Sequence, residues 1–391
     1  MHEALKSLLR PAYHRLGGPH LRRALAVLTQ PSAPPYLDPN QLLHDQRSAM
    51  LRDMPRPCEV LLSAGCAGRW YFDWVAQRYG DVPRHVGIEF YSPRPDDLPA
   101  NVEWIANTCS DMSGVAAASC DLVFSGQNVE HLWPDEVAGF LAEAARVTRP
   151  GGWLVVDSPN RLVTAPLNWS HPEHTVELTV DEIAELLALA GFTVAKRAGL
   201  WLCRDPGTCT LLPFDPNLPA GDWTVPERIL AARDRPAESF LWWVEARRNT
   251  TPPDLPAIRA RIDEIFAAAW PERVQRLIVP AALQVTRSED GDWIEVPAGH
   301  GGMVMFGPYM PLRAGSYRVG FTLAAPADAR FDVVAEDGRT VLATGATGGA
   351  ATASLEFSLE RLHFGVQFRC TGGAGPFRLR RGVALAETLT A

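Results

Sequence analysis

The stretch from Cys58 to Arg248 alternates short apolar runs with longer amphipathic segments. The runs are rich in β-branched residues, whereas the segments between them repeat apolar residues at helical spacing. This alternation predicts an α/β layer fold with a mostly parallel sheet. The seven predicted strands are Glu59–Ser63, His85–Glu89, Val102–Ala106, Cys120–Ser125, Trp153–Ser158, Phe192–Arg197 and Phe240–Arg247. The helices predicted between them are Trp70–Tyr79, Asp135–Thr148 and Val180–Ala190.

The pattern changes after the last of these strands. Thr250–Pro256 has the composition of a linker, and Ile258–Trp270 follows as an amphipathic helix that we expect to end before Pro271. From about Leu283, apolar residues alternate with polar or small ones between Gly-rich turns. The clearest alternating runs are Tyr317–Leu323, Leu355–Leu359, Gly365–Phe368 and Phe377–Arg380. This region is predicted to form an antiparallel β-sandwich or jelly roll.

The chain of 391 residues is therefore predicted to have four parts. They are an N-terminal helical arm (1–44), the α/β domain (45–249), a linker with a helix (250–282) and the β-sandwich domain (283–391). A Pro-rich insertion at 205–236 leaves the carboxyl end of the sixth strand, which is where ligands bind in open α/β sheets. Two interpretations of this insertion stay open: a lid over the substrate, and a surface loop without a role in binding.

Composition and charge narrow the class of protein. With 47% apolar and 21% charged residues the chain is globular, and its net charge of -8 gives no general attraction to nucleic acid. The seven scattered cysteines include no C-x-x-C pair, which favours a reduced, cytoplasmic protein. The sequence contains no run of about 18 apolar residues, so no membrane span is predicted. A basic amphipathic helix within residues 1–30 leaves peripheral membrane contact open.

Three features at strand ends indicate a nucleoside site. The small-residue turn Ser63–Gly68 connects the first strand to a helix and lets the backbone approach a ligand closely. Glu89 ends the second strand, where a carboxylate can accept both ribose hydroxyls, and Asp111 follows the third strand, where it could accept an adenine amine. Each feature alone fits a tight turn, a solvated charge or a helix cap equally well. Their coincidence in register predicts nucleoside binding.

These segments resemble the class I S-adenosylmethionine-dependent methyltransferases of the type 11 family, over about residues 45–250. The matching segments are Ser63–Gly68, Gly87–Glu89, Ser110–Met112, Asp121–Phe124 and Arg149–Val155. The resemblance implies S-adenosylmethionine as cofactor and a Rossmann-like sheet of seven strands, the last antiparallel. The cofactor contacts it implies are Ser63, Ala64, Gly65, Gly68, Glu89, Asp111, Met112 and Ser125.

The chain departs from the family pattern at two positions of the turn. Ser63 stands where the family usually has Asp or Glu, which implies a weaker hold on the amino group of the cofactor. Ala67 stands where a second Gly is usual, and its tolerance depends on its backbone angles. Neither departure restores the G-x-G-x-x-G dinucleotide fingerprint, so a nicotinamide enzyme is the weaker alternative. A catalytically inactive domain is the second hypothesis that these departures support.

Histidines after the fourth and fifth strands are the candidate catalytic residues. Transfer to a hydroxyl needs a base, and His131, His171 and His174 are available for that role or for structural hydrogen bonds. His171 and His174 with Glu173 also invite a metal interpretation. Pro172 argues against a helix that places both rings on one face, and no clear further ligand is within sequence reach, so no metal is predicted.

The expected acceptor is a small polar molecule, for example a sugar or glycan precursor, with a lipid or another small molecule as the alternative. Asp157, Asn160 and Arg161 could bind acceptor hydroxyls, although a turn role fits the segment equally well. In the last domain, Phe306–Tyr309 and Leu312–Val319 resemble the small β-sandwich modules of bacterial polysaccharide-modifying enzymes. Carbohydrate binding and oligomerisation are both open for this domain.

Overall fold

The computed structural model describes residues 36–388, and one seven-stranded sheet organises the first two thirds of them. The strand order is β3-β2-β1-β4-β5-β7-β6, and only β7 within it runs antiparallel to its neighbours. The strands are β1 (Val60–Ala64), β2 (Arg84–Glu89), β3 (Val102–Ala106), β4 (Cys120–Gly126), β5 (Thr148–Pro159), β6 (Phe192–Leu202) and β7 (Ser239–Arg248). The Rossmann-like fold with a reversed last strand is thereby confirmed.

Helices cover both faces of this sheet. They are α1 (Pro39–Arg52), α2 (Arg69–Arg78), α3 (Pro134–Val147), α4 (Arg161–Thr164), α5 (Val180–Leu189), α6 (Val225–Ala232) and α7 (Leu255–Val274). The start of α5 shows why the sequence pattern locates these helices well. Thr179 accepts a hydrogen bond from the Glu182 backbone, and the Glu182 carboxylate accepts one from Thr179 in return, which is a capping box.

The insertion at 205–236 contains a helix that the sequence analysis did not predict. Thr224 and Glu227 form a capping box at the start of α6, and this short signal was available in the sequence. Arg228 on α6 is buried over the ring of Trp201 and donates hydrogen bonds to the Leu202 carbonyl. The insertion is therefore packed onto the end of β6.

The expectation that the next helix ends before Pro271 is wrong, because α7 continues through Pro271 to Val274. Proline removes one N–H from the helix interior, but burial of Arg273 and Val274 in the following turn holds that turn in place. The helix contributes Ile258 to the core of the sheet and Val274 to the core of the next domain. It therefore joins the two cores rigidly.

The C-terminal region is all-β, as predicted. Its paired strands form three antiparallel sheets with the orders β10-β16-β13-β14 (β11 also pairing β16), β15-β12-β18 and β17-β9-β8. The strands are β8 (Gln284–Ser288), β9 (Gly291–Val296), β10 (Met303–Met305), β11 (Pro308–Leu312), β12 (Gly315–Thr322), β13 (Arg330–Ala335), β14 (Thr340–Ala346), β15 (Thr352–Leu359), β16 (His363–Thr371), β17 (Phe377–Arg380) and β18 (Ala384–Glu387).

The N-terminal arm is only partly covered by the structure. The basic helix expected within residues 1–30 lies outside the described residues. Helix α1 runs across the predicted domain boundary at residue 45 and packs against α2 and β6. Within residues 36–388, no helix has the length and apolar character needed to cross a membrane.

Candidate functional site

The turn between β1 and α2 is a close-fitting backbone cradle. Gly65 has φ +79° and Gly68 has φ +134°, conformations that residues with a Cβ rarely adopt. A Cβ on Gly65 would lie 2.8 Å from Oδ1 of Asn128. Helix α2 starts at Gly68, and no side chain of the described part of the chain caps it there. Backbone groups are therefore what this turn presents at the carboxyl end of the sheet.

Glu89 holds this turn to the end of β2. Its Oε2 accepts a hydrogen bond from the Ala67 N–H at 2.9 Å, and its Oε1 accepts from the N–H groups of Tyr91 and Ser92. A carboxylate offers about four lone-pair sites, so at least one remains for a ligand hydroxyl. Ala67 has φ +49°, in the left-handed region, and the bond from its N–H to Glu89 stabilises that conformation.

The other predicted cofactor residues follow the same edge of the sheet, with different exposure. Ala64 ends β1, and Ser125 lies near the end of β4, where it accepts a hydrogen bond from Asn128 Nδ2 at 3.1 Å. Met112 is buried after β3, whereas Asp111 beside it is exposed. These residues therefore lie at or after the carboxyl ends of strands β1, β3 and β4.

Ser63 differs from this set because its side chain is already used inside the sheet. Its hydroxyl is fully buried and lies 2.8 Å from Nε2 of His85 on β2. Burial lowers the pKa of His85 to about 3, so that ring is neutral near pH 7. Any contact of Ser63 with a ligand is consequently through its backbone.

A buried ion pair lies beside the cradle. Arg47 on α1 donates from Nε to Asp157 Oδ2 at 2.6 Å and from its terminal nitrogen to Oδ1 at 3.1 Å. Gln127, which follows β4, also donates to Asp157, at 2.9 Å. Asp157 was a candidate acceptor contact, and its carboxylate is occupied by these donors. Arg47 was missed because a single Arg on an N-terminal helix carries no motif.

Glu130 is the most unusual carboxyl group in the structure. It is fully buried in the short 3₁₀ turn after β4, and neither of its oxygens has a hydrogen-bond partner among residues 36–388. Burial, together with the negative charge of Asp157, raises the pKa of Glu130 to about 8. The sequence analysis did not single it out, although it directly precedes the candidate His131.

The structure brings the three candidate catalytic histidines together from two loops. The ring centroids of His131 and His174 are 4.7 Å apart, and those of His171 and His174 are 4.4 Å apart. Burial lowers the pKa of all three rings, that of His131 to about 3 and that of His174 to about 4. All three are thus neutral near pH 7 and able to accept a proton or a metal ion.

Glu177 fixes the orientation of His174. Its Oε1 lies 3.2 Å from His174 Nδ1, while its Oε2 accepts hydrogen bonds from Arg276 and Thr164. Burial opposes the charge on Glu177, but Arg276 and His174 outweigh it and hold the pKa of this carboxyl below its usual range. The ionised Glu177 assigns the proton of His174 to Nδ1 and leaves Nε2 with a free lone pair.

Arg273 on α7 joins this loop to the second domain. Its buried guanidinium donates hydrogen bonds to the His171 carbonyl at 2.9 Å, to Ser170 Oγ at 3.0 Å and to the Tyr309 carbonyl at 2.7 Å. The Gly365 N–H also donates to the Pro172 carbonyl at 3.1 Å. The loop with His171 and His174 is therefore held by groups that come after the sheet in sequence and by Thr175, which donates hydrogen bonds to the Glu130 and Leu132 carbonyls.

Asn160 and Arg161 have structural roles in the described chain. Asn160 accepts a hydrogen bond from the Leu162 backbone at the start of α4, and its Nδ2 donates to carbonyls before and within β7. Arg161 pairs with Glu182 and donates to the Glu177 carbonyl. Of the two alternatives for this segment, these contacts support the turn role.

The sheet order, the reversed β7, the glycine turn and the acid at the end of β2 together define a Rossmann-like domain. The model of a family described as a methyltransferase domain matches residues 62–156. This segment includes the cradle, Glu89, Asp111 and the histidine that follows β4.

Proteins similar to this chain carry names of the same class. A probable S-adenosylmethionine-dependent methyltransferase of Mycobacterium tuberculosis is 43% identical over 191 residues, which is 46% of this chain and 65% of the relative. One from Mycolicibacterium smegmatis is 34% identical over 146 residues, 36% of this chain and 54% of the relative. The chain thus spans between half and two thirds of the length of these relatives.

A solved structure with similarity to the chain is an S-adenosylmethionine-dependent methyltransferase from Archaeoglobus fulgidus. It is 15% identical, with a TM-score of 0.39, over 54% of this chain and 95% of that one.

Proposed function

We propose that this protein is an S-adenosylmethionine-dependent methyltransferase that methylates a hydroxyl group of a small polar acceptor, for example a sugar or glycan precursor, in the cytoplasm. The observation that carries the proposal is the position of two groups at one edge of the sheet. The cradle held by Glu89 lies after β1 and β2, and the neutral histidines lie after β4 and β5. The family match and the names of the relatives support the cofactor.

The chemistry of the residues at the cradle fits S-adenosylmethionine. Gly65 packs closely against the Asn128 side chain, where a Cβ would collide, and the turn presents backbone groups to a ligand. Glu89 is only 8% exposed and retains acceptor capacity for ribose hydroxyls, while the exposed Asp111 could accept the adenine amine. Ser63 supplies no carboxylate for the amino group, which supports moderate affinity.

The acceptor half would contribute positioning and proton removal. When bound, S-adenosylmethionine supplies a methyl group on a sulfonium: its C–S bond breaks as a C–O bond to the acceptor forms, and S-adenosylhomocysteine leaves. The histidine cluster formed by His131, His171 and His174 is neutral near pH 7, and the lowered pKa makes each ring a weak base, so the proton would move to a ring as the C–O bond forms and the hydroxyl becomes more acidic.

Titration calorimetry with S-adenosylmethionine and S-adenosylhomocysteine tests the cofactor. Wild type should bind both saturably, and Glu89→Ala should bind at least about 10-fold more weakly, because it loses the ribose acceptor and the clamp on Ala67. Glu103→Ala is the matched control, since Glu103 is a partly exposed acid on the neighbouring strand β3 that pairs with Arg84. Absence of binding to wild type would contradict the proposal.

A second experiment addresses the acceptor. Wild type is incubated with methyl-labelled S-adenosylmethionine and separate panels of mono- and oligosaccharides, lipids, and small amines and thiols. We expect base-stable label on the sugar panel. Label confined to the amine or thiol panel would contradict hydroxyl transfer, and label on the lipid panel alone would move the acceptor to that class.

The second candidate function is glycan binding, with an α/β domain that lacks activity. A cavity of about 700 Å³ lies between α7 and the β-sandwich and supports this alternative. Its lining includes the polar residues Asn168, Gln275, Asp292, Arg380 and Arg381, which suit hydroxyl-rich ligands. A glycan array with the full chain and with Arg380→Ala tests it. Specific binding lost in the variant, together with no binding of the methyl donor, would favour this function over methyl transfer.

A further inference from the structure

Three side chains from two loops converge on one point at the carboxyl edge of the sheet. Glu130 and His131 follow β4, whereas His174 belongs to the loop after β5 that Arg273 holds. One ligand atom from each of the three lies within 4.8 Å of the others. The sequence analysis found no further ligand near His174, because Glu130 and His131 are more than forty residues away along the chain.

Glu130 supplies a second, independent observation. Its side chain is fully buried, and both of its oxygens are without a partner in the chain from residue 36 to residue 388. Arg47 lies near enough to attract the charge of Glu130 but makes no hydrogen bond to it, because that guanidinium makes a bidentate pair with Asp157. An ionised carboxyl group is costly to bury without a partner, so Glu130 either stays protonated or gains a cation or a metal ion as its partner.

The surroundings of His174 have the form that metal-binding histidines commonly show. In such sites the ring nitrogen away from the metal donates to a carboxylate, which fixes the tautomer and the direction of the other nitrogen. Here Glu177 accepts a hydrogen bond from Nδ1–H of His174, and Arg276 and Thr164 donate hydrogen bonds to Glu177 in turn. His174 is thus prepared to offer Nε2 as a ligand.

We propose that Glu130, His131 and His174 bind one divalent transition-metal ion. Two imidazoles and a carboxylate suit Zn²⁺, Mn²⁺ or Co²⁺ better than Mg²⁺ or Ca²⁺, which prefer oxygen ligands. Metal–ligand distances of about 2.0–2.2 Å place ligand atoms roughly 3–4 Å apart. The present separations of up to 4.8 Å therefore require the side chains to close by about 1–2 Å. Three protein ligands leave coordination positions open.

The role of the metal ion rests on the proposed methyl transfer. An acceptor hydroxyl bound at an open position would have its pKa lowered by the ion, and its proton would pass to the imidazole of His171, the remaining histidine of the cluster. The resulting alkoxide oxygen then forms the C–O bond as the C–S bond breaks. Metal binding itself needs neither the methyl donor nor the acceptor.

The test is a titration of chelator-treated full-length protein with Co²⁺, followed by visible absorption, with Zn²⁺ as the competitor. Wild type should bind one Co²⁺ with the absorption of a four- or five-coordinate site. His174→Ala and Glu130→Gln should bind at least about 10-fold more weakly. His171→Ala is the matched control, because His171 lies in the same cluster but outside the three ligands, and it should retain wild-type affinity within about two-fold.

Thermal unfolding with and without Zn²⁺ separates loss of ligation from loss of folding. Zn²⁺ should raise the melting temperature of wild type and of His171→Ala but not that of Glu130→Gln, which keeps the shape of the side chain. Absence of Co²⁺ and Zn²⁺ binding to wild type, or equal weakening in His171→Ala, overturns the metal site. Titration of the same preparations with S-adenosylmethionine tests the proposed function separately, since either binding event can fail alone.

Discussion

The cradle after β1 and the histidine cluster lie at the same edge of one sheet, yet different parts of the chain hold them in place. The cradle is held by Glu89, which lies within twenty-five residues of Gly65 along the chain. The histidine loop is held by Arg273 and Arg276 at the end of α7, about a hundred residues away. The residue that holds the cradle is therefore close to it in sequence, whereas the histidine loop depends on residues at the junction with the second domain.

The carboxyl groups at the cradle and at the histidine cluster also differ in their partners. Glu89 at the cradle accepts only from backbone N–H groups of its own and the adjacent loop. The acceptor half instead contains Glu177 with Arg276, and an unpartnered Glu130 within the described residues. We therefore expect the cradle to tolerate changes elsewhere in the molecule, and the histidine cluster to respond to changes at the domain junction.

The largest expected effect comes from removing Arg273. Arg273→Met would leave the carbonyls of His171 and Tyr309 without this donor, and we expect a loss of about 3–5 kcal/mol in the free energy of unfolding. Amide exchange over residues 169–177 should speed up, while the affinity for S-adenosylmethionine changes by less than about two-fold. Arg259→Met, at an exposed position of the same helix, is the control. Equal losses of cofactor affinity and loop protection would remove the distinction between the halves.

A smaller effect is expected from pH at the cradle. Burial lowers the folded-state pKa of His85 to about 3, against about 6.5 in the unfolded chain, so the unfolded state binds the extra proton as pH falls below 6.5. Between pH 7 and pH 5 this should cost about 2 kcal/mol of unfolding free energy. Urea unfolding of His85→Gln should show a correspondingly shallower decline, and the two proteins should run in parallel above pH 7. An unchanged decline in the variant would show that His85 does not control it.

The smallest expected effect comes from substituting Ala67 in the turn between β1 and α2. Ala67 has φ +49°, so Ala67→Gly should raise the free energy of unfolding by about 1 kcal/mol by relieving strain. Ala64→Gly, in the extended strand β1, should instead destabilise the protein. Chemical denaturation measures both variants. A destabilised Ala67→Gly would mean that the clamp by Glu89 already removes the strain.

The same contrast explains how much the sequence could predict. The strands of the sheet and the cradle were predicted within a few residues, because apolar periodicity and a strand–turn–helix segment are local signals. Glu89 and Asp111 could be placed because the carboxyl ends of parallel strands meet at one edge. The cofactor half was therefore largely accessible from sequence.

The histidine cluster could be predicted from the sequence only in part. The candidate histidines were recognised by their residue type, but their convergence with Glu130 depends on how two loops pack. Arg47 and Arg273 act over more than a hundred residues of sequence, and no local pattern marks a buried arginine. Continuation of α7 through Pro271 likewise follows from burial in both domains and not from helix propensity.

Helix α7 also determines the order in which the two halves can form during synthesis. A nascent chain that has emerged through β7 contains every strand of the sheet, the cradle and Glu89, but neither Arg273 nor Arg276. Because domains generally fold as units from the N-terminus during translation, the cofactor cradle can be complete while the histidine loop still lacks its anchors. Under the proposed function, the nascent chain would then be able to bind a methyl donor before it can position an acceptor.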